Sequence, residues 1–418
     1  MKLDPTPGTR CGIDTVELRR FQRFLDSRTP EELGRLFAET ELRDAGTGEG
    51  RVASLAARFA AKEACGKLFP RETALGILQP ADFVLERTPY GDVRVCPSPA
   101  AQAVLDRNRV AGIRVSLTHT ESSASAIAWA EPHPIEVPWF GRFCYYFVPF
   151  RRKLMLSNLR RVFGDAAPEA ELRRLLQACY AHYVRFFLEM ARQPFMSKSK
   201  RASWIRVENV EAPIRAHQQG KGLLLLTGHF GNWEVATVAG LGQFPQYRGQ
   251  FHFVRRPLKP GWVDAWITRR FRRAGFGTLA KRGSMEKILD LLAQGAIIVF
   301  TMDQHAGPPD GIPVEFLGHT AGTFKSLAIL ALTTETPVIP ACSWREPDGT
   351  HVLRFEEPLP LIQCEDAGEA IRQNTRAYNV ALERMLLRHP EQWIWMHRRW
   401  KFKPKHKPKT RTPGDSID

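Results

Sequence analysis

The run Leu223-Leu224-Leu225-Leu226 constrains the fold more than any other stretch of the chain. Four consecutive apolar residues without alternation describe a strand covered on both faces, the pattern of an open α/β sheet with helices packed on either side. The run ends at Thr227-Gly228, where glycine permits a sharp turn. His229 and Glu234 follow, in a segment that reads as the opening of a helix. Open α/β sheets gather their chemistry at the carboxyl ends of strands, so this turn is a candidate site with His229 as base and Glu234 as orienting carboxylate. Residues five apart on an ideal helix are separated by about 140°, so the pair meets only if the turn is distorted. Taken alone, H-x-x-x-x-E reads better as a capped helix start with a partly buried histidine.

The surroundings repeat the pattern. A second buried run, AIIVFTM, delivers Asp303-Gln304-His305 at its end, and His252-Phe253-Val254 reads as a strand closing on Arg255 and Arg256. Strands alternating with amphipathic helices, among them Val263 to Ala274 and Ser284 to Ala293, predict an α/β sheet over this part of the chain. Pro313 to Gly318 and a turn over Thr320 to Thr323 are expected between the Asp303 turn and a further helix through Lys325 to Leu332.

Charge divides the molecule. Residues 1–134 hold 18 Lys+Arg and 18 Asp+Glu, whereas the remaining residues hold 42 and 26 and so carry all of the net charge of +16. Such asymmetry in a chain of 418 residues implies at least two domains with different partners, the second drawn to a polyanion such as an anionic membrane surface or nucleic acid. No zinc-ligand spacing or basic-aromatic repeat supports nucleic acid. No apolar run approaches the roughly 20 residues of a spanning helix, and the N-terminus lacks the apolar core of a signal peptide. The seven cysteines are scattered and odd in number, which predicts reduced thiols and a cytoplasmic location.

In the neutral part, CGIDTVEL reads as a strand leading into an arginine-bearing helix, SLAARFAAKEACGKL as an alanine-rich helix, and IRVSLTHT as a late strand. Asp14, Lys62, Glu63 and His119 each have a plain structural explanation when taken singly. Together the motifs GID-x-VE, ARFAAKEA and VSLTHT resemble the holo-acyl-carrier-protein synthases, the 4′-phosphopantetheinyl transferase family, over nearly all of residues 8–131. The resemblance implies an α+β fold, transfer of phosphopantetheine from coenzyme A to a carrier-protein serine, and a trimer. It implies Asp14 and Glu63 as Mg²⁺ ligands, Lys62 at a phosphate and His119 near the coenzyme A phosphates. The sequence departs from the family at Pro70-Arg71-Glu72-Thr73 and at Gly91-Asp92-Val93, both loops expected near the cofactor. A docking module for carrier protein without catalysis is the alternative reading.

The domain boundaries read as 1–132 for this part, a proline-marked linker over 133–138, a second domain over 139–404 and a basic disordered tail over 405–418. The second domain opens on an aromatic segment, Trp139 to Phe150, followed by Arg151-Arg152-Lys153, a composition suited to a membrane interface. GHFGNWE, VRRP, DQH-x-G, FLGHTAGTFKS and HPEQWIWMHRRWK resemble the lipid A biosynthesis acyltransferases of the lauroyl/myristoyl type. That resemblance implies transfer of a fatty acyl chain from acyl-carrier-protein to a lipid hydroxyl at the inner membrane. Arg255 or Arg256 would bind phosphate, and Asp303 and Gln304 would shape the site. The anchoring helix usual in that family is reduced here to the aromatic segment.

Overall fold

The computed structural model of the protein describes residues 10–69, 78–88, 91–108, 110–132, 135–164, 167–257, 259–281 and 283–401. The predicted tail 405–418 and the loop Pro70 to Thr73 lie outside them. The chain forms two compact units, one over residues 4–136 and one over residues 137–418.

The first unit is α+β. Strands β1 (Cys11–Glu17), β2 (Phe83–Arg87), β3 (Val93–Pro97), β4 (Val110–His119) and β5 (Ser123–Pro132) form an antiparallel sheet in the order β1-β5-β4-β3-β2. The helix Arg51–Gly66 lies across β1, β5 and β4. Its alanines, Ala56, Ala57, Ala60, Ala61 and Ala64, are buried, and so are Ala124, Ala126, Ala128 and Ala130 of β5 facing them. Small side chains on both sides let helix and sheet approach closely. Gly12 is where they come closest, because a Cβ there would collide with the Ala64 carbonyl. The small-residue segment SSASAIAWA is thus a strand, inserted between β1 and β4 by this packing.

The second unit is α/β. A seven-stranded sheet runs in the order β6-β14-β13-β7-β10-β8-β9, comprising β6 (Ile205–Glu208), β7 (Leu223–Thr227), β8 (Phe251–Arg255), β9 (Gly277–Ala280), β10 (Ile297–Thr301), β13 (Val338–Arg345) and β14 (His351–Phe355). β13, β7, β10, β8 and β9 are mutually parallel, and only the β13–β14 pair is antiparallel. Leu223 to Leu226 are at most 3% exposed, as a central strand covered on both faces requires. The carboxyl ends of β7, β10, β8 and β9 share one edge of the sheet.

One feature departs from the expected pattern. Residues expected as a turn, Thr320 to Thr323, belong to strand β12 (His319–Phe324), which forms a hairpin with β11 (Gly311–Phe316). The reversal falls instead at Leu317 and Gly318, both with positive φ, the geometry a tight hairpin demands. The aromatic segment forms the helix Trp139–Phe147, packed against Glu169–Arg192 where Gly141 meets Ala181 and Gln177. Among the described residues no helix is long and apolar enough to cross a membrane.

Candidate active sites

At the end of β7 the chain turns through Gly228, presents His229, and enters the helix Trp233–Gly240 with Asn232 accepting from Val235 N–H as its cap. His229 Nδ1 lies 2.9 Å from Asp303 Oδ1, and the His229 backbone N–H donates to Asp303 Oδ2 at 2.7 Å. A carboxylate only accepts, so Nδ1 carries the proton and Nε2 is the basic nitrogen. Burial by itself would raise the Asp303 carboxyl; the charge of His229 and its two hydrogen bonds outweigh this and hold Asp303 well below the usual carboxylate range. The Gln304 amide stands 3.4 Å from His229 Nε2 and 3.2 Å from His397 Nε2. Burial depresses the His397 pKa, Asp303 opposes that, and His229 and Arg151 add to it.

The partner of His229 is therefore Asp303 from β10 and not Glu234, which corrects the pairing expected from the sequence. The physical reason is the register of the sheet. Thr227 pairs with Thr301, so the residues two beyond each strand end stand side by side. Glu234, one residue into the helix, is turned inward and is only 9% exposed. Burial raises its pKa against the opposing charges of Arg270, Arg255 and His229. Its Oε2 has no hydrogen-bond partner among the described residues, and neither has the buried Arg270 Nη1 nearby.

The C-terminal segment straps this turn in place. Gly231, with φ of +53° and its Cα against the backbone of Ser343 and Trp344, admits no side chain. Its N–H donates to the Gln392 carbonyl at 3.0 Å, and the Phe230 carbonyl accepts from Ser343 Oγ at 2.8 Å. The Gly231 N–H is thus consumed structurally and is not available to a substrate oxyanion, a role that the glycines of this turn invite. Trp393 Nε1 donates to Asp303 Oδ2 at 2.9 Å, so the carboxylate is held from two sides. Buried Arg399 donates to the Gln304 carbonyl at 3.2 Å and to the Gly322 carbonyl at 2.6 Å. Beneath the turn Asn232 donates to Glu189 at 2.8 Å, and Glu189 forms a two-pronged pair with Arg345 at 2.5 and 2.6 Å. Pattern reading gave no role in this site to Arg399 or to Arg345 of β13; for Arg399 the signal present was an aromatic and basic cluster, PEQWIWMHRRW, in a segment without helical periodicity.

The two arginines after Val254 part company. Arg255 donates to Asp264 at 2.6 Å and to Thr268 at 2.9 Å, anchoring the helix Gly261–Ala274. Arg256 is exposed at the sheet edge and makes no hydrogen bond or ion pair among the described residues.

In the first unit, Asp14 of β1 and Glu63 of the Arg51–Gly66 helix face one another. Burial and the adjoining Asp14 charge raise the Glu63 pKa, while Lys67 lowers it. Lys67 Nζ contacts Asp14 Oδ1 at 2.6 Å and the Ile13 carbonyl at 3.0 Å. Lys62 does not join them. Its amine pairs with Glu41 at 2.8 Å, both side chains fully buried, and donates to the Phe83 carbonyl at 2.8 Å. The helix thus turns Lys62 inward, onto Glu41 and away from Asp14 and Glu63. Lys67, four residues after Glu63, shares the Glu63 face of the helix and is the cation sequence reading passed over. His119 stands exposed at the end of β4. Two carboxylates, one raised by its neighbour, suit a divalent cation that keeps part of its water shell.

Residues 132–402 match the bacterial lipid A biosynthesis acyltransferases, and residues 10–122 match the 4′-phosphopantetheinyl transferase superfamily. A lipid A biosynthesis lauroyltransferase of Escherichia coli is 24% identical over 64% of this chain and 85% of its own length. A holo-[acyl-carrier-protein] synthase of Streptomyces coelicolor is 42% identical over 29% of this chain and 94% of its own length. A phosphatidylinositol mannoside acyltransferase of Mycolicibacterium smegmatis is 27% identical over 48% of this chain and 65% of its own length.

Proposed function

Since the chain belongs to the bacterial lipid A biosynthesis acyltransferase family through residues 132–402 and to the 4′-phosphopantetheinyl transferase superfamily through residues 10–122, we propose that it couples two transfers on one carrier protein. The first unit primes the carrier with phosphopantetheine, and the second moves an acyl chain from that carrier to a lipid hydroxyl. One observation carries the second half of this reading. It is the 2.9 Å contact of His229 Nδ1 with a fully buried carboxylate, which leaves Nε2 as a base at a strand end.

A lipid hydroxyl is too weak an acid to attack a thioester unaided. His229 Nε2 takes its proton as the oxygen bonds to the thioester carbon. The C–S bond then breaks, and the imidazolium returns the proton to the departing pantetheine sulfur. Asp303 keeps Nδ1 protonated and stabilises the imidazolium, as the acid of a hydrolytic triad does. With the Gly231 N–H engaged by Gln392, the developing oxyanion draws on other donors at this edge. Glu234 supports the turn from within, against Arg270.

In the first unit Asp14 and Glu63 would hold Mg²⁺, which supplies neutralisation of the coenzyme A pyrophosphate when bound. Lys67 and His119 would then meet phosphate oxygens while the carrier serine attacks the phosphorus bearing pantetheine, releasing adenosine 3′,5′-bisphosphate. Ile13, 64% exposed and paired with Ile127 across β1 and β5, leaves an apolar strand face that suits a second copy of the unit.

The acceptor is a membrane lipid, of lipid A or phosphatidylinositol mannoside type, met at the inner membrane. Trp139, Phe143 and Phe147 support this, lying one turn apart on their helix and 77%, 51% and 71% exposed, with exposed Arg142 on the same helix. Aromatic rings beside basic groups favour an anionic interface. The test is to incubate the protein with acyl-carrier-protein and lipid vesicles and to follow the acylated lipid by mass spectrometry. His229→Ala is expected to abolish that product; persistence of the product would remove His229 as the base.

A further inference from the structure

Lys281 has no part in the transfer described above, yet it stands at the same edge. It follows β9 directly, and Ala280 of that strand is in register with Arg255 of β8, so Lys281 and Arg256 leave the sheet side by side. The Lys281 amine is half-buried against the Phe324 ring, 3.5 Å from its centroid. Among the described residues it makes no hydrogen bond or ion pair. The charged groups facing it are Arg256, Asp303 and Asp310. Burial, then the Arg256 charge, lower its pKa to about 8, while the two aspartates oppose the shift.

Two adjacent cations repel one another, and half-burying an amine that makes no hydrogen bond is costly. Proteins tolerate such an arrangement where a ligand supplies the missing charge. The ring of Phe324 walls off one side of the ammonium.

We propose that Lys281 and Arg256 form a two-cation subsite for a phosphate group of the substrate, with Lys281 setting affinity and taking no part in proton transfer. This rests on the acyl-transfer reading of the His229 site. The phosphate has two sources, the pantetheine arm of the donor or the headgroup of the lipid acceptor. A phosphate oxygen accepting from both cations relieves their repulsion and fixes that end of the substrate while His229 acts at the other.

The experiment compares KM and kcat of the full chain and of Lys281→Ala, Lys281→Arg and Lys287→Ala. Donors are an acyl-4′-phosphopantetheine and the corresponding acyl-pantetheine; acceptors are a phosphorylated lipid A precursor, its phosphatase-treated form and phosphatidylinositol mannoside. Lys281→Ala is expected to raise KM about 10- to 100-fold for the phosphate-bearing member of one pair only, the loss of a charge-assisted hydrogen bond, with kcat within about threefold. Loss on the donor pair assigns the pantetheine phosphate, and loss on the acceptor pair assigns the headgroup. Lys281→Arg is expected to recover most of the affinity. In the unaltered protein that KM should rise as pH passes about 8, and in Lys281→Arg the rise should vanish because guanidinium stays protonated. Lys287→Ala, which removes a charge from an exposed position on the Met285–Ala293 helix, is expected to change nothing. Unchanged KM values for every pair in an active Lys281→Ala enzyme would overturn the subsite alone. An unaltered protein that transfers acyl groups to none of these acceptors would overturn the acyl-transfer reading and the subsite with it.

Discussion

The two candidate sites are built in opposite ways. In the first unit Asp14, Glu63 and Lys67 come from one strand and one helix that pack directly on each other, and the cluster is open to solvent on one side. In the second unit His229 and Asp303 are 74 residues apart and meet because β7 and β10 are neighbours in register. A third segment, near Trp393, closes over them. An open cluster of carboxylates is what a hydrated cation needs, whereas a base needs a fixed tautomer and a dry flank. The first kind of site needs only one helix packed on one strand, whereas the second depends on the order and register of two strands.

This difference makes the two sites separable by mutation. His229→Ala is expected to lower acyl transfer by about 10²- to 10⁴-fold, the range of general base catalysis, and to leave carrier priming unchanged when both are followed by mass spectrometry. Loss of both would show the sites to be coupled. Glu63→Gln is the converse, with priming expected to fall by at least about 100-fold and thioester turnover by the second unit unaffected. A Glu63→Gln protein that still added phosphopantetheine to apo-carrier protein would rule out the metal role proposed for Glu63. Trp393→Phe replaces the indole with a smaller aromatic ring and deletes one hydrogen bond to Asp303; roughly a tenfold loss in kcat is expected, with little change in KM.

The smallest effect is on stability and again divides the units. His182 and His351 are buried beneath the His229 turn, and burial is the first cause lowering their pKa values to about 3 and about 4, with Arg345 adding to it and neighbouring glutamates opposing. In the unfolded chain they titrate near about 6.5, so between these limits the unfolded state binds more protons. Their contribution is complete above about pH 6.5 and is lost as pH falls towards 4. Thermal unfolding of the second unit should therefore weaken across that window, while the first unit, whose described histidine is the exposed His119, should not follow it. Equal acid sensitivity of both units would contradict this.

Much of the fold was legible because its elements announce themselves locally. The all-leucine run, the alanine-rich helix and the turn after β7 follow from burial, close packing and glycine chemistry. The hairpin β11–β12 was half-hidden, since Thr320 to Thr323 carries turn-forming residues and becomes a strand only through pairing with β11. In the sites, His229, Asp14 and Glu63 were legible and their partners were not. Asp303 was seen as a polar strand end, but sheet order, which puts β10 beside β7, is not written in either segment. Lys62 and Lys67 differ only in which side of one helix they occupy, and the partner that settles it, Glu41, lies in a segment with no motif of its own.

The central claim is that Asp303, and not the Glu234 of the same short motif, orients His229. Steady-state acyl transfer by Asp303→Asn and Glu234→Gln, each shown to be folded, tests it most directly. The structure predicts a kcat loss of about 10³- to 10⁴-fold for Asp303→Asn, as for other bases that lose their orienting carboxylate, and a loss at least about tenfold smaller for Glu234→Gln. The reverse order, with Glu234→Gln the more damaging and Asp303→Asn nearly unimpaired, would contradict it.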